Sequence, residues 1–272
     1  MSMWEAIVLG VVQGLTEFLP VSSSGHLVLL QKLFRINDPT LPFTTAVHVG
    51  TLLTVLIVLR QDIKSILTRI IQPLTLYLII ATIPVVIVVL LFNDAIEAAF
   101  ETGSFLGPAF LITSVLLLVS DKLYRGGKKS VPGNIPVRLQ REMTWRDALL
   151  IGLLQAVAII PGISRSGATI SAGLSRRLDR DFVARFSFLL SIPTILGALL
   201  FQVKDLIKID STEGIVLLPI LIGSLTSCIV AFFSIRLTIK IVRERSLWGF
   251  AIYTAILGIL VLTDQIGLRL LS

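Results

Sequence analysis

Residues 13–26 read QGLTEFLPVSSSGH and break the first apolar stretch of the chain, 6–31, near its middle. A second apolar stretch, 148–175, is broken in the same way by residues 161–167, which read PGISRSG. Each half is about 10 to 15 residues long, whereas a helix needs about 20 residues to cross the hydrocarbon core. Because proline removes a backbone donor and glycine relaxes the backbone, these breaks predict two re-entrant helix-loop-helix hairpins that line a cavity within the protein.

The rest of the chain is apolar enough to continue this arrangement through a membrane. Of its 272 residues, 54% are hydrophobic and 15% are charged, which is far from the composition of a soluble domain of this length. Six further apolar stretches are about 17 to 21 residues long, enough to cross the hydrocarbon core as helices. They are 42–59, 73–92, 104–120, 182–201, 215–235 and 246–262. We therefore predict an all-α, polytopic membrane protein with six transmembrane helices and two re-entrant hairpins.

The net charge of +7 comes from Lys and Arg residues that fall mainly in short loops between apolar stretches. Topology explains this charge better than nucleic-acid binding does, so we expect no nucleic-acid partner. Loop 60–72 is basic and is predicted inside, whereas loop 93–103 is acidic and is predicted outside. The basic linker 121–146 is also predicted inside, which places both termini outside. Only Lys32 and Arg35 run against the rule.

The two hairpins also resemble each other in sequence. A shift of 142 positions superimposes six identical residues over about two dozen positions, more than similar composition gives by chance. The pairs are Ala6 with Ala148, Gly10 with Gly152, Gln13 with Gln155, Ser22 with Ser164, Ser24 with Ser166 and Gly25 with Gly167. We predict one membrane domain, 1–272, made of repeats 1–120 and 147–262 joined by linker 121–146. Since three spans follow the first hairpin, the second enters from the opposite face, and the broken elements of this inverted repeat meet near the membrane midplane.

Each hairpin stretch carries a single formal charge, Glu17 in the first and Arg165 in the second, and the two charges have opposite signs. Ionisable groups inside a membrane are costly, face the interior and by default mark a functional site, where pairing offsets part of the cost. Gln13 lies one helical turn before Glu17, so the amide and the carboxylate share a face and can reach one ligand or metal ion. A purely structural ion pair between Glu17 and Arg165 is the alternative.

Both breaks place serines directly ahead of a helix, where free N–H groups and a partial positive charge favour phosphate. Arg165 adds a guanidinium that can bind phosphate through two donors. Taken one at a time, each serine is better explained as a helix cap. Considered together, Gln13 and the loop residues are predicted to contact the substrate. The loop residues are Ser22, Ser24, Gly25, Ser164, Ser166 and Gly167.

Four residues form the predicted catalytic set: Glu17, Ser23, His26 and Arg165. In this set Ser23 is the nucleophile, His26 carries protons, and Glu17 is a metal ligand or an orienting base. Arg165 binds the substrate and stabilises the charge that develops on it. His48 lies in a predicted span with threonines nearby and is expected to line the same cavity without acting as a catalyst.

These motifs resemble those of the bacterial undecaprenyl-diphosphate phosphatase family, also called the bacitracin-resistance proteins. The resemblance covers nearly the whole chain and rests on residues 13–20 running into 22–26, and on PGISRSGAT at 161–169. In that family the first position of the first motif is Glu or Gln. Here it is Gln13, which moves any metal or base role to Glu17. By motif position, the functional residues of the family fall on Glu17, Ser23, His26 and Arg165, with Ser164 nearby.

The resemblance implies hydrolysis of undecaprenyl diphosphate to undecaprenyl phosphate and inorganic phosphate, which recycles the carrier lipid of bacterial cell-wall synthesis. It implies a divalent cation, Mg²⁺ or Ca²⁺, with Glu17 as a ligand. It also implies a location in the bacterial inner membrane, among membrane lipids, with the site open to the outer face. The lipid chain length, the attacking group (Ser23, His26 or water) and the oligomeric state stay open, a homodimer being one alternative.

Two other functions remain to be weighed against this one. Membrane phosphatases of the phosphatidic-acid type also use Ser-Gly-His and Ser-Arg motifs, with histidine as the nucleophile. That class expects a second histidine six residues after the arginine, but the position is Ser171 and no histidine follows His48, which argues against it. A lipid transporter or flippase is the alternative from another class, because inverted repeats with broken helices are a common transporter design.

Overall fold

The computed structural model describes residues 1–36, 41–103, 105–129, 142–208 and 217–268. Within these ranges the chain is largely helical and has no β-strand. The α-helices are α1 (Met3–Thr16), α2 (Ser23–Leu33), α3 (Leu41–Val58), α4 (Arg60–Thr68), α5 (Pro73–Thr102), α6 (Leu106–Lys129), α7 (Trp145–Val157), α8 (Arg165–Ser175), α9 (Arg180–Lys208), α10 (Leu217–Glu244) and α11 (Trp248–Thr263), followed by a π-helical turn, Asp264–Leu268. The all-α polytopic membrane class predicted from the sequence is confirmed.

Five of the described helices are long and apolar enough to cross a membrane by themselves, namely α5, α6, α9, α10 and α11. The predicted span 42–59 coincides with α3, which meets the same criterion only together with α4, across a bend of 75°. The described part of the chain therefore has five spans, or six if the bent pair is counted as one. The shorter pairs α1–α2 and α7–α8 lie where the sequence predicts the two hairpins.

Several helices extend beyond the apolar stretches that predicted them. Helix α5 continues past 73–92 to Thr102, with one kink at Phe92, and stops at Gly103, where φ is 62°. No glycine or proline interrupts the sequence between Phe92 and Gly103, so the helix continues after its side chains become polar. The predicted acidic loop 93–103 is therefore mostly helix. Likewise, α4 occupies most of the predicted loop 60–72. Helix α9 continues past its predicted span, 182–201, to Lys208.

The two hairpins begin in the same way. Helix α1 starts with a capping box between Ser2 and Glu5, and α7 starts with one between Thr144 and Asp147, at positions 142 apart. Helix α1 packs against α10, whereas α7 packs against α5, so each hairpin rests on a long helix that follows the other hairpin. These reciprocal pairings are those that an internal two-fold relation would produce. The duplication and its inverted orientation stay predictions.

Small residues bring α1 close to α10. A methyl group built on Gly10 would lie 2.5 Å from the carbonyl oxygen of Gly223, and one on Gly14 would lie 2.6 Å from that of Ser227. Neither position has room for a side chain, so Gly10 and Gly14 form a small-xxx-small pair that lets the two helices pack closely. This contact fixes the end of α1, and with it Glu17, against α10.

Lys32 has a local structural role that explains its unusual position. Its Nζ donates to the carbonyl oxygen of Thr102 at 3.3 Å, at the C-terminal end of α5. A cation is stabilised by the unpaired carbonyl groups at a helix C-terminus. A basic residue at this point is therefore compatible with the outer side, where the predicted topology puts the short loop 32–41. Residues 37–40 of that loop lie outside the described ranges.

A buried cluster of charges joins the ends of several helices. Asp121, in α6, is fully buried and pairs with Arg180 at the start of α9 and with Arg125 one turn further on. Ser246 donates to Asp121 Oδ2 at 2.8 Å, and Arg180 donates to the carbonyl oxygen of Val242 at 2.9 Å. The predicted solvated linker 121–146 thus begins as helix, because α6 continues to Lys129. Residues 130–141 of that linker, like 209–216, lie outside the described ranges.

We expect the substitution Asp121→Asn to lower the free energy of unfolding by about 3 kcal/mol, because it leaves the Arg180 guanidinium buried without its counter-ion. Thermal unfolding of the purified protein in detergent measures the change. The matched control is Asp62→Asn, which breaks a partly exposed pair with Arg185 at 3.3 Å and should cost at most about 1 kcal/mol. Equal shifts for the two variants would contradict a stabilising role of the buried cluster.

The predicted topology can be tested by cysteine labelling in intact cells. With Cys228 replaced by serine, a cysteine at position 128 should be protected from an impermeant maleimide added outside, since the basic linker is predicted inside. A cysteine at position 102, at the end of α5, should react. Labelling at position 128 and not at 102 would show that the topology is the reverse of the predicted one.

Candidate active site

The tips of the two hairpins meet. The Ser166 hydroxyl donates to the carbonyl oxygen of Leu19 at 3.0 Å, which joins the second break to the first. A methyl group built on Gly25 would lie 3.0 Å from Cα of Gly162, so the backbones of the two tips are almost in contact. The Ser164 N–H donates to Thr113 Oγ1 at 3.0 Å, which ties the second tip to α6. Two motifs some 140 residues apart in sequence therefore form one site, as the prediction of meeting hairpins requires.

Glu17 is the centre of this site and is only 6% exposed. Its Oε1 accepts a hydrogen bond from Arg165 at 2.7 Å, so the two isolated charges of the hairpins form an ion pair. Its Oε2 accepts from the Ser23 hydroxyl at 2.6 Å and from Gln13 Nε2 at 2.9 Å. The carboxylate thus holds a cation on one oxygen and a serine hydroxyl on the other.

The other loop serines cap the helices that follow them. Ser22 Oγ accepts from the Gly25 N–H at 3.3 Å, and Ser164 Oγ accepts from the Gly167 N–H at 3.0 Å. A second serine lies beside each cap, with Ser24 3.3 Å from Ser22 and Ser166 3.2 Å from Ser164 between hydroxyl oxygens. These contacts fit the capping role that each serine was expected to have when considered alone. The starts of α2 and α8 remain the parts of the site with N–H groups suited to phosphate.

Ser22 also shapes the first tip through its backbone. Its φ is 71°, a left-handed value that is uncommon for a residue with a side chain. Such a conformation costs about 1 to 3 kcal/mol and persists where the surrounding structure enforces it, often at functional sites. Ser23, the next residue, begins α2 with its hydroxyl bound to Glu17.

His26 lies one helical turn into α2 with both ring nitrogens engaged. Its Nδ1–H donates to the carbonyl oxygen of Ser22 at 2.6 Å, which leaves Nε2 to accept from the Tyr253 hydroxyl, also at 2.6 Å. The two rings stack with centroids 5.7 Å apart. Among the hydrogen bonds of the described residues, none joins His26 to Ser23. The sequence placed both in one unit, but the direct partner of the Ser23 hydroxyl is Glu17.

Two residues that the sequence analysis missed contact the predicted set. Tyr253, in α11, binds His26, and Thr194, in α9, accepts a hydrogen bond from Arg165 at 3.2 Å. Neither lies in a motif, and the proline before Thr194 was the only irregular feature next to it in the sequence of that span. His48 lies beside the site, as expected of a lining residue, with its Nε2 3.8 Å from Glu17 Oε2.

The described residues contain no cluster of three or more His, Cys, Asp or Glu side chains that could hold a metal ion by themselves. The buried Oε1 of Gln13 has no hydrogen-bond partner, however, and the Gln13 amide is bound to the Glu17 carboxylate. Magnesium and calcium prefer oxygen ligands, and magnesium is commonly held by one or two carboxylates together with substrate phosphates. Gln13 Oε1 and the Glu17 carboxylate are therefore oxygen ligands of the kind that a divalent cation prefers.

The family model described as bacitracin resistance protein BacA matches residues 6–260 of the chain. The chain belongs to the BacA family. This match spans both hairpins and nearly all the helices, and it confirms the resemblance inferred from the two motifs. In this BacA-family chain, the two sequence motifs therefore meet at the hairpin tips described above.

Curated relatives extend the BacA similarity over almost the full length. A protein of Carboxydothermus hydrogenoformans named undecaprenyl-diphosphatase is 40% identical over 266 residues, which is 97% of this chain and 98% of the relative. Undecaprenyl-diphosphatase 4 of Bacillus thuringiensis subsp. konkukian is 41% identical over 265 residues, with the same coverage. Undecaprenyl-diphosphatase of Halothermothrix orenii is 39% identical and covers 96% of this chain and 98% of its own.

Proposed function

We propose that this BacA-family protein is an undecaprenyl-diphosphate phosphatase, which hydrolyses the lipid diphosphate to undecaprenyl phosphate and inorganic phosphate. The names of relatives about 40% identical over nearly the full length support this substrate. One contact in the molecule supports phosphate hydrolysis as the reaction type. The Ser23 hydroxyl donates to the buried Glu17 carboxylate, whose other oxygen is paired with Arg165. A hydroxyl beside a base and a guanidinium is an arrangement for attack on a phosphate group.

Substrate binding is assigned to Arg165 and the two helix starts. A guanidinium has five N–H donors, and Arg165 uses one on Glu17 and one on Thr194, which leaves three for phosphate oxygens. The N–H groups at the starts of α2 and α8 add a favourable partial charge. We assign phosphate contacts within these two loops to Ser22, Ser24, Gly25, Ser164, Ser166 and Gly167.

The chemical step is assigned to Ser23 and Glu17. The Ser23 oxygen forms a bond to the terminal phosphorus, and its proton passes to Glu17 Oε2, 2.6 Å away. The bridging P–O bond breaks and undecaprenyl phosphate leaves. A water molecule then attacks the phosphoserine, which releases inorganic phosphate and restores the Ser23 hydroxyl. Throughout, Arg165 stabilises the negative charge that develops on the phosphoryl oxygens.

His26 is assigned the second proton transfer. Its Nδ1–H is held by a backbone carbonyl, so Nε2, next to the Tyr253 hydroxyl, is the nitrogen that takes up and releases a proton. A histidine oriented in this way can take a proton from the attacking water and return it. When bound by Glu17 and Gln13, a Mg²⁺ or Ca²⁺ ion would neutralise part of the diphosphate charge.

The protein is a multi-pass membrane protein, and we place it in the bacterial inner membrane with the site open to the outer face. The basic and acidic loops of the sequence support this orientation. The alternative of a transporter is less well supported, because transport needs binding groups but no serine hydroxyl held on a base. The contact between Ser23 and Glu17 therefore favours an enzyme.

Product analysis with purified protein tests this proposal. Wild-type protein in detergent with added divalent cation should release inorganic phosphate and undecaprenyl phosphate from undecaprenyl diphosphate, and a chelator should suppress the release. Protein carrying Ser23→Ala, purified in parallel, controls for contaminating phosphatases. If the wild type and this variant release phosphate equally slowly, the proposal is wrong and a transporter becomes the better explanation.

A further inference from the structure

A long apolar groove lies between α5 and α9 on the lipid-facing side of the protein. It is open to the outside along its length and has a volume of about 330 Å³. One wall is a single face of α5, since its residues recur at helical spacing, and the other is Pro193 of α9. The α5 residues are Thr75, Leu78, Ile79, Thr82, Ile83, Val86 and Ile87. The hydroxyl of Thr82 donates to the carbonyl oxygen of Leu78, so its hydrogen-bonding need is met within its own helix.

This groove adjoins the active site through α9. Pro193 lines the groove, and the next residue, Thr194, accepts the hydrogen bond from Arg165 NH1 at 3.2 Å. One turn further along α9, Gly197 has open space beside it, because a methyl group built there would meet nothing within 4 Å. The apolar groove and the Arg165 guanidinium therefore contact consecutive residues of α9, Pro193 and Thr194.

We propose that this groove holds the prenyl chain of the lipid diphosphate while the diphosphate is bound at Arg165. The inference rests on the proposed phosphatase function and adds a chain-binding site to it. From Thr75 to Ile87 the groove follows thirteen residues of α5, or about 18 Å of helix. A groove of that length beside the site proposed to bind the diphosphate suits a long, flexible lipid tail.

The same geometry favours a tail attached to the bound headgroup over a free membrane lipid. A lipid tail gains little hydrophobic energy on moving from bilayer to groove, because both are apolar. The tail of the bound diphosphate, by contrast, is already held next to Pro193 by its headgroup, so it reaches the groove at a high effective concentration. Packing along α5 then adds van der Waals contact with each further prenyl unit, which makes the groove a means of selecting long chains.

Substitutions that fill the groove test this proposal. Thr82→Trp and Val86→Trp each place a large side chain in it, and Leu76→Trp is the matched control, on the same helix, exposed and outside the groove. We measure kcat/KM with undecaprenyl diphosphate and with the much shorter farnesyl diphosphate. The ratio of the two values should fall about tenfold or more in both groove variants. It should keep its wild-type value in the control.

A binding measurement covers the case in which the tryptophan variants do not fold. A benzophenone side chain at position 83 should crosslink to radiolabelled undecaprenyl phosphate in phosphatidylethanolamine vesicles, and unlabelled undecaprenyl diphosphate should compete. The same side chain at position 76 should give only uncompeted background.

The outcomes separate this inference from the proposed function. Unchanged ratios in both folded groove variants, or crosslinking at position 83 that undecaprenyl diphosphate does not reduce, would mean that the groove takes membrane acyl chains only. Either result would disprove the proposal that the groove binds the prenyl chain, and the proposed phosphatase function would stand. If the wild type releases phosphate from neither substrate, the proposed function itself fails.

Discussion

Replacing Arg165 with lysine is expected to lower kcat/KM for undecaprenyl diphosphate by at least about 100-fold. Lysine keeps the charge, but it loses the planar fork that lets Arg165 donate to Glu17 through NH2 and to Thr194 through NH1 at the same time. An ammonium group that is bound to Glu17 cannot also present two parallel donors in the planar arrangement that matches a phosphate group. Phosphate release under steady-state conditions measures the loss.

The control for Arg165→Lys is Arg176→Lys. Arg176 also pairs with a buried carboxylate, that of Asp147 at 2.7 Å, but it lies at the end of α8 away from Ser23 and Glu17. This variant should retain activity close to that of the wild type. If Arg165→Lys retains it as well, Arg165 is a structural counter-ion of Glu17 and has no role in catalysis.

Ser23 and Glu17 are expected to lose activity as one unit. Ser23→Ala and Glu17→Gln should each reduce kcat/KM at least about 100-fold, because one removes the nucleophile and the other its base. The double variant should be little slower than the worse single variant, since residues that act together in one step are strongly non-additive. Parallel phosphate-release assays on the three variants measure the coupling.

One control variant and two possible outcomes test this second prediction. Ser175→Ala removes a hydroxyl at the end of α8, where it donates only to the Ala172 carbonyl, and should leave activity unchanged. Losses that multiply in the double variant would mean that Ser23 and Glu17 act in separate steps. If Ser23→Ala keeps most activity while His26→Ala abolishes it, the serine nucleophile is wrong, and water or His26 attacks phosphorus instead.

The hairpins could be predicted from sequence because their signals are local. A proline and a capping serine start each second helix, and the structure begins α2 at Ser23 and α8 at Arg165, directly after those caps. The pairing of Glu17 with Arg165 could also be predicted, since a single charge in each apolar hairpin has few other partners. Both inferences depend on rules that hold within a few residues or on the strong cost of burying charge.

Other features depend on tertiary packing and could not be predicted. Hydropathy reports where side chains leave the hydrocarbon, not where a helix stops, so the extensions of α5 to Thr102 and α6 to Lys129 were missed. Tyr253 and Thr194 lie on long apolar helices, where the sequence does not reveal which face meets the site. For the same reason, spacing alone could not decide whether the Ser23 hydroxyl turns to His26 or to Glu17.

The packing of α1 on α10 has a consequence for how the protein is made. The Ser234 hydroxyl of α10 donates to the carbonyl oxygen of Leu15, a residue synthesised 219 positions earlier. At about 5 to 20 residues per second, the first hairpin waits about 10 to 40 seconds for this partner to leave the ribosome. Until then its broken backbone cannot face lipid without unpaired polar groups, so it has to stay at the membrane surface or be sheltered by the insertion machinery. A chain whose synthesis stops before α10 is therefore expected to keep its first hairpin without this packing partner, which distinguishes it from a finished chain.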